Sequence, residues 1–301
     1  VQAGKQEGFL DQTKGTLFFD VADILKRTRP KAFLLENVDN LVSHEKGRTF
    51  RIILETLVKE LNYKVIGVEQ DSEGNITYDP KTFIRNSRNF GVPQNRPRIY
   101  MLGFDKNVYG DMLDRLPVKE LPKKRSGDPI YTDLNDLIEL KAAPEYYMSQ
   151  GYLDTLKRHR ERHQGKGNGF GYIVVNEPAI ENPVSNAILA TGGSGKERNL
   201  IFDPQDGIAG MIVKGKQTPL NNEGIRVMTP REWGKLQGFV NYGFVDENGK
   251  DRFSFPQTVS KVQQYKQFGN SVSIPVIEEM AKCIKTCLDF LDSETIMSYI
   301  I

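Results

Sequence analysis

Asn89-Phe90-Gly91-Val92-Pro93-Gln94-Asn95-Arg96-Pro97-Arg98-Ile99-Tyr100-Met101-Leu102-Gly103-Phe104 sets an amide and two guanidiniums at alternate positions before an apolar run, Ile99 to Phe104. Alternate residues of an extended strand share one face, so Gln94, Arg96 and Arg98 are expected to converge at the strand's entrance. Two arginines side by side repel unless an anion sits between them, and a planar fork suits a carboxylate or a phosphate. Upstream, Ala32-Phe33-Leu34-Leu35-Glu36-Asn37-Val38 is a short apolar run with a carboxylate near its C-terminal end, where open α/β sheets keep their sites. Taken alone, such a pair reads more readily as a structural ion pair between neighbouring strands than as a reactive carboxylate steadied by arginine.

Outward from these two runs the pattern alternates between helix and strand. Thr16 to Thr28 reads as a helix with Leu17, Phe18, Val21, Ile24 and Leu25 on one stripe and Pro30 beyond its end. A second helix opens at Gly47 or Thr49, with Phe50, Ile53, Leu54, Leu57, Val58 and Leu61 inward. Tyr63 to Glu69 reads as a strand, followed by a polar turn, Asp71-Ser72-Glu73-Gly74-Asn75. This order predicts a parallel, doubly wound α/β sheet. From about residue 106 the composition shifts to Pro, Lys, Asp and Tyr, and 172–175, 186–190 and 208–213 are short strand candidates between glycine-rich turns. A smaller, irregular, mostly β domain is expected there. The amphipathic helix after Pro275 is expected to return to the first domain. The predicted divisions are 1–115, 116–262 and 263–301.

Composition narrows the function classes. The 301 residues carry 41 Lys and Arg against 39 Asp and Glu, a net charge of +2. The chain is therefore no bulk polyanion binder, and nucleic-acid affinity must come from local clusters. One such cluster runs from Lys157 to Lys166, with Lys157, Arg158, Arg160, Arg162 and Lys166 against the single Glu161. No run is long enough to cross a bilayer, and two cysteines with no signal-like N-terminus predict a reducing, cytoplasmic setting. Those cysteines, Cys283 and Cys287, lie on the apolar face of the last helix, where core packing is expected and no metal. Gly192-Gly193-Ser194-Gly195-Lys196-Glu197 fails as a phosphate loop, because its first glycine is misplaced and Glu197 replaces the Mg²⁺-binding hydroxyl.

Three further strings join Glu36-Asn37-Val38 and Gln94-x-Arg96-x-Arg98. They are Ala3 to Phe9 with Gly15 to Asp20, Arg226-Val227-Met228-Thr229-Pro230-Arg231-Glu232-Trp233-Gly234-Lys235-Leu236-Gln237-Gly238-Phe239, and Gln267-Phe268-Gly269-Asn270-Ser271-Val272. In this order they resemble the DNA (cytosine-5) methyltransferases of bacterial restriction–modification systems. That resemblance implies the C-terminal portion of a Rossmann-like methyltransferase domain with a target-recognition domain. It also implies transfer of a methyl group from S-adenosyl-L-methionine to C5 of a cytosine flipped out of duplex DNA, in the bacterial cytoplasm at the nucleoid.

Residue by residue, the resemblance implies Glu36 as the acid at cytosine N3, with Asn37, Arg96 and Arg98 around it. Asn270, Ser271 and Val272 resemble the family's cofactor contacts. DNA contacts are expected from Lys5, Lys14, Gln94, Lys157, Arg158, Arg160, Lys166, Asn168, Gly193, Lys196 and Arg198. The string from Arg226 to Phe239 reads as chiefly structural, with Thr229 an N-cap, Pro230 the first helical residue and Glu232 a capping-box partner. Lys14 stands where the family usually has Arg, and Val240 where it has Pro.

The family's Phe-x-Gly-x-Gly cofactor loop and its Pro-Cys nucleophile do not occur in the sequence. The chain alone is accordingly expected to be inactive, with the cysteine on a missing N-terminal segment or a second polypeptide. The alternative is a non-catalytic DNA-binding or targeting subunit of a split methyltransferase.

Overall fold

In the computed structural model, which describes residues 16–165, 172–191 and 196–300, the chain divides into two units. The first comprises the chain through Asn86, Pro97–Lys124 and the chain from Glu278. The second comprises Ser87–Arg96 and Arg125–Ile277.

The first unit begins with α1 (Thr16–Thr28). Its core-facing stripe is Phe18, Val21, Ala22 and Leu25, whereas Leu17 and Ile24 are 70% and 58% exposed. The expected helix is present, but those two residues lie on its flank. Strand β1 (Ala32–Val38) and α2 (Arg48–Glu55) follow, and α2 runs on through a wider turn, Thr56–Glu60. Phe50, Ile53, Leu54, Leu57, Val58 and Leu61 are all buried, as their spacing predicts. The run expected as one strand breaks at Gly67, whose φ of 84° suits glycine. Two strands result, β2 (Tyr63–Val65) and β3 (Val68–Gln70), and β3 forms a hairpin with β4 (Ile76–Tyr78). The Asp71 carboxylate shapes this hairpin by accepting the amides of Glu73 and Asn75. Next comes β5 (Ile84–Asn86). After β6 (Gln94–Asn95), which belongs to the second unit, β7 (Pro97–Asp105) leads into the short α3 (Lys106–Tyr109).

β7 is the centre of the sheet. It pairs antiparallel with β1 along one edge and with β2 and β5 along the other. Because β1 and β2 both oppose β7, they run parallel to each other and enclose α2 in a strand–helix–strand unit. The expectation of parallel strands therefore holds for β1 and β2, but β7 lies between them and makes every pairing in this sheet antiparallel. On one side of the sheet Phe33, Phe50, Tyr63, Phe83, Ile99 and Met101 form the core, with edge-on ring contacts between Phe33 and Tyr63 and between Phe50 and Phe83. Arg29 donates its Nε to Asp105 at 3.0 Å, closing the sheet's lower end. Asp292 of the last helix accepts from Tyr109 Oη and Lys31 Nζ, each at 2.9 Å.

The second unit is largely irregular. Its helices are α4 (Gln150–Gln164), α5 (Pro230–Leu236) and α6 (Lys261–Asn270); α7 (Ile274–Ile300) starts in it and continues into the first unit. β6 pairs parallel with β8 (Ser185–Asn186), and β9 (Leu200–Phe202) pairs antiparallel with β10 (Ile225–Val227). The candidate strand at 208–213 is a turn region, since Gly207 and Gly210 both have left-handed φ. The string from Arg226 to Phe239 is built as expected. Thr229 Oγ1 accepts the Glu232 amide, and Glu232 Oε2 accepts the Thr229 amide at 2.7 Å. Glu232 also receives both terminal nitrogens of Arg226, at 2.9 and 2.7 Å, while Arg226 Nε donates to Asp203 at 2.6 Å. Burial pulls the Arg226 pKa down, but the bonds and charges of Glu232 and Asp203 outweigh it and raise it above the ordinary range. No described helix is long and apolar enough to cross a membrane.

Gly103 lies opposite Phe33 in the β1–β7 ladder, and a Cβ on it would sit 2.4 Å from the Phe33 ring. Gly103→Ala should therefore destabilise the protein by about 1–3 kcal/mol, as overpacking does. Thermal unfolding checks this, and an unchanged midpoint would show that the ring moves aside freely.

Candidate active site

The β1–β7 register puts Glu36 opposite Tyr100 and Val38 opposite Arg98. Arg98 is then the diagonal neighbour of Glu36 on the same face, within reach of a long side chain. Its Nε lies 3.3 Å from Glu36 Oε1, with the two side chains 16% and 29% exposed. The pair is thus shielded on the protein side and open on the other, at the C-terminal end of β1. Arg98 Nη1 is anchored on the Pro97 carbonyl at 2.7 Å. Asn37 turns back on its own chain, its Oδ1 accepting the Val38 amide at 2.8 Å.

Gln94 and Arg96 do not share this face, contrary to the strand alternation expected of them. The Gln94 amide bonds the Val92 carbonyl at 2.7 Å, and the Arg96 amide bonds the Gln94 carbonyl at 3.1 Å. Such bonds between residues two apart belong to tight turns. These turns leave only the two-residue β6 extended before Pro97, so period-two reasoning does not carry from Gln94 to Arg98. Gln94 is fully buried in the second unit, donating to the Leu236 carbonyl at 3.1 Å and accepting the Ile188 amide at 3.2 Å. That burial withdraws it from the expected DNA contacts. Arg96, 3% exposed, donates to the carbonyls of Ile188, Gly269 and Ser271 at 2.9, 3.0 and 2.9 Å.

Asn270, Ser271 and Val272 form the turn after α6. Ser271 caps the end of α6, with its amide and hydroxyl both bonded to the Phe268 carbonyl. At the start of the next helix it is the Ser273 carbonyl that accepts the Val276 and Ile277 amides. Asn270 is exposed, and the Ser273 hydroxyl is buried without a hydrogen-bond partner among the described residues.

The basic run lies on α4. Lys157 is paired with Glu223, and that bond raises its pKa. The Arg160 guanidinium lies 4.4 Å from the centroid of the Tyr172 ring. Both are half-buried, so the exposed cations of this helix are Arg158 and Arg162. Arg198 is exposed at the end of the 3₁₀ turn Lys196–Asn199. Lys5, Lys14, Lys166, Asn168 and Gly193 lie outside the described residues, as does the Lys196 side chain.

Gln237 is a contributor that sequence reasoning missed. Its Nε2 donates to the carbonyls of Phe268 at 3.1 Å and Ser271 at 3.4 Å. Its one linear signal is an amide inside an otherwise helix-organising string. Cys283 and Cys287 are both buried in α7, and the bond shared with Cys283, followed by burial, holds the Cys287 thiol above the ordinary range. Among the described residues no group of three or more His, Cys, Asp or Glu is arranged to hold a metal.

A profile described as C-5 cytosine-specific DNA methylase matches residues 2–286. The type II methyltransferase M.HpaII of Haemophilus parainfluenzae is 44% identical over 285 residues, covering 94% of this chain and 67% of that protein. M.SsoII of Shigella sonnei is 38% identical, covering 96% and 61%, and the DNA-cytosine methyltransferase of Escherichia coli K12 is 37% identical, covering 94% and 55%. The chain thus spans between about half and two thirds of these relatives' lengths. Among solved structures, Spodoptera frugiperda DNMT2 aligns with a TM-score of 0.54 at 18% identity, covering 94% of this chain and 75% of that one. The Entamoeba histolytica methyltransferase EhMeth aligns at 0.50 and 17%, covering 87% and 63%. At these identities the two structures share a fold with this chain.

Proposed function

The chain belongs to the C-5 cytosine-specific DNA methylases, and on that premise we propose that it carries the acid, its arginine and the target-reading region of a restriction–modification enzyme. The reaction is methyl transfer to C5 of a cytosine flipped out of duplex DNA. The observation that carries this reading is the Glu36–Arg98 pair, a carboxylate and guanidinium 3.3 Å apart and partly open at the C-terminal end of β1.

Cytosine C5 is a poor nucleophile until a thiolate adds at C6, and that addition places negative charge on the ring. A proton delivered at N3 neutralises it, and Glu36 is the group placed to deliver it. Arg98 orients the Glu36 carboxyl and has donors left for the base's carbonyl oxygen. Asn37, through its bond to the Val38 amide, keeps the strand end in the shape that presents Glu36. Neither buried cysteine of α7 suits the thiol role, so the reading assigns it to a part of the enzyme outside this chain. Because C6 is covered in a stacked duplex, the base must leave the helix, at a cost of a few kcal/mol.

S-adenosyl-L-methionine supplies an electrophilic methyl when bound. Asn270, Ser271 and Val272 would hold it. The exposed Asn270 carboxamide offers both a donor and an acceptor, a combination that fits a ribose. For the DNA backbone, the exposed Arg158 and Arg162 of α4 would meet phosphates, and the exposed Arg198 would read a base edge. A purely targeting subunit would have no use for the Glu36–Arg98 geometry.

In the full-length enzyme, Glu36→Gln should slow methyl transfer by roughly 10²–10⁴-fold while DNA binding persists, because the amide keeps the shape and loses the proton. Steady-state turnover reads this, and a loss below about tenfold would exclude Glu36 as the acid. Arg98→Lys should be nearly as harmful as Arg98→Ala, since an ammonium cannot act as a fork; a Lys variant at wild-type rate would mean that charge alone suffices. Replacing Arg158 and Arg162 by Gln should lower the slope of log affinity against log salt by nearly two without changing the preferred site. Binding titrations across salt and a methylation map of random DNA test both halves.

A further inference from the structure

Arg96 belongs to the same short motif as Arg98, yet the turns before Pro97 send it elsewhere. We infer that Arg96 is a positioning residue for the cofactor turn, setting cofactor affinity by clamping residues 269–271 to the 188–190 segment. The inference rests on the reading that Asn270, Ser271 and Val272 face the cofactor.

One nitrogen, Nη2, donates to the carbonyls of both Gly269 and Ser271, at 3.0 and 2.9 Å. These carbonyls flank Asn270, so both are turned inward and Asn270 is left on the outside, exposed, with no protein partner for its carboxamide among the described residues. The other nitrogen, Nη1, holds the Ile188 carbonyl at 2.9 Å. A planar guanidinium can span carbonyls from two separate segments, and an ammonium cannot do so in the same geometry. Gly269 makes the span possible. A Cβ there would lie 2.2 Å from the Leu189 carbonyl oxygen, so any larger residue would push the end of α6 off the 188–190 segment. Gln237 grips the same turn through the Phe268 and Ser271 carbonyls. The turn is therefore preorganised by donors that never reach the ligand, the arrangement by which supporting residues tune a site.

The test compares wild type, Arg96→Lys and Asn270→Ala in the full-length protein. Calorimetry measures S-adenosylhomocysteine affinity, and fluorescence anisotropy measures duplex DNA affinity. Both variants should bind S-adenosylhomocysteine about tenfold more weakly or worse, the effect of losing hydrogen bonds to a charged group or a direct contact. DNA affinity should stay within about threefold of wild type, less than one such bond is worth. For Arg96→Lys, KM for the methyl donor should rise more than kcat falls. If Asn270→Ala weakens S-adenosylhomocysteine and Arg96→Lys does not, the clamp is overturned and the assignment of the turn stands. If Asn270→Ala changes nothing, that assignment fails and takes the inference with it. A collapse of kcat with unchanged S-adenosylhomocysteine affinity would place Arg96 in the reaction itself and overturn the inference. Should Arg96→Lys not fold, Gln237→Leu removes the turn's second donor and carries the same measurements. There, S-adenosylhomocysteine affinity about threefold weaker, as for one long hydrogen bond, supports the clamp, and unchanged affinity overturns it.

Discussion

One strand takes hydrogen bonds along both edges and thereby sets the geometry of the first unit. β7 is buried over nearly its whole length and meets β1 on one edge and β2 and β5 on the other. Its register against β1 is what brings Arg98 to the diagonal of Glu36. A slip by one residue would turn every side chain of β7 to the opposite face, setting Tyr100 and Leu102 where Ile99 and Met101 pack and removing Arg98 from its carboxylate. The apolar core thus enforces the placement of the polar pair. Phe33 over Gly103 adds a second check on the register, because only at that pairing does the ring find a residue without a Cβ.

The second unit uses a different principle. With little regular sheet, it is held by buried polar side chains that end on backbone carbonyls and on one another. Gln94, Arg96 and Gln237 bond main-chain groups, while Arg226 links Asp203 to Glu232 and so to the start of α5. Such networks are stabilising when every member is satisfied and damaging when one is removed. They also explain why the strings around these residues look conspicuous in the sequence although few of them face outward.

How much was legible depended on the distance over which the physics acts. α1, α2 and the capping box at Thr229 follow from patterns a few residues long, and each was read in place. The Glu36–Arg98 pair was legible because both residues sit on true strands, where alternation holds. Gln94 and Arg96 were misplaced by the same rule, since two tight turns between prolines interrupt the strand just before it starts. Lys157 and Arg160 look like free cations in the linear string. Their partners, Glu223 and Tyr172, lie on other segments and only the folded chain shows them. The inserted position of β7 was hidden for the same reason, its neighbours being paired across long intervals of sequence.

That insertion has a kinetic side. β1, α2 and β2 leave the ribosome well before β7, and they form a strand–helix–strand unit whose two strands must stay one strand's width apart. Until β7 is synthesised, the facing edges of β1 and β2 present unpaired amides and carbonyls flanked by Phe33, Leu35 and Val65. Two parallel strands in that state can close on each other, or on another chain, faster than a partner of such high contact order can arrive. Folding of this unit is therefore gated by the synthesis and docking of one late strand, and the nascent chain is most prone to association in the interval before it.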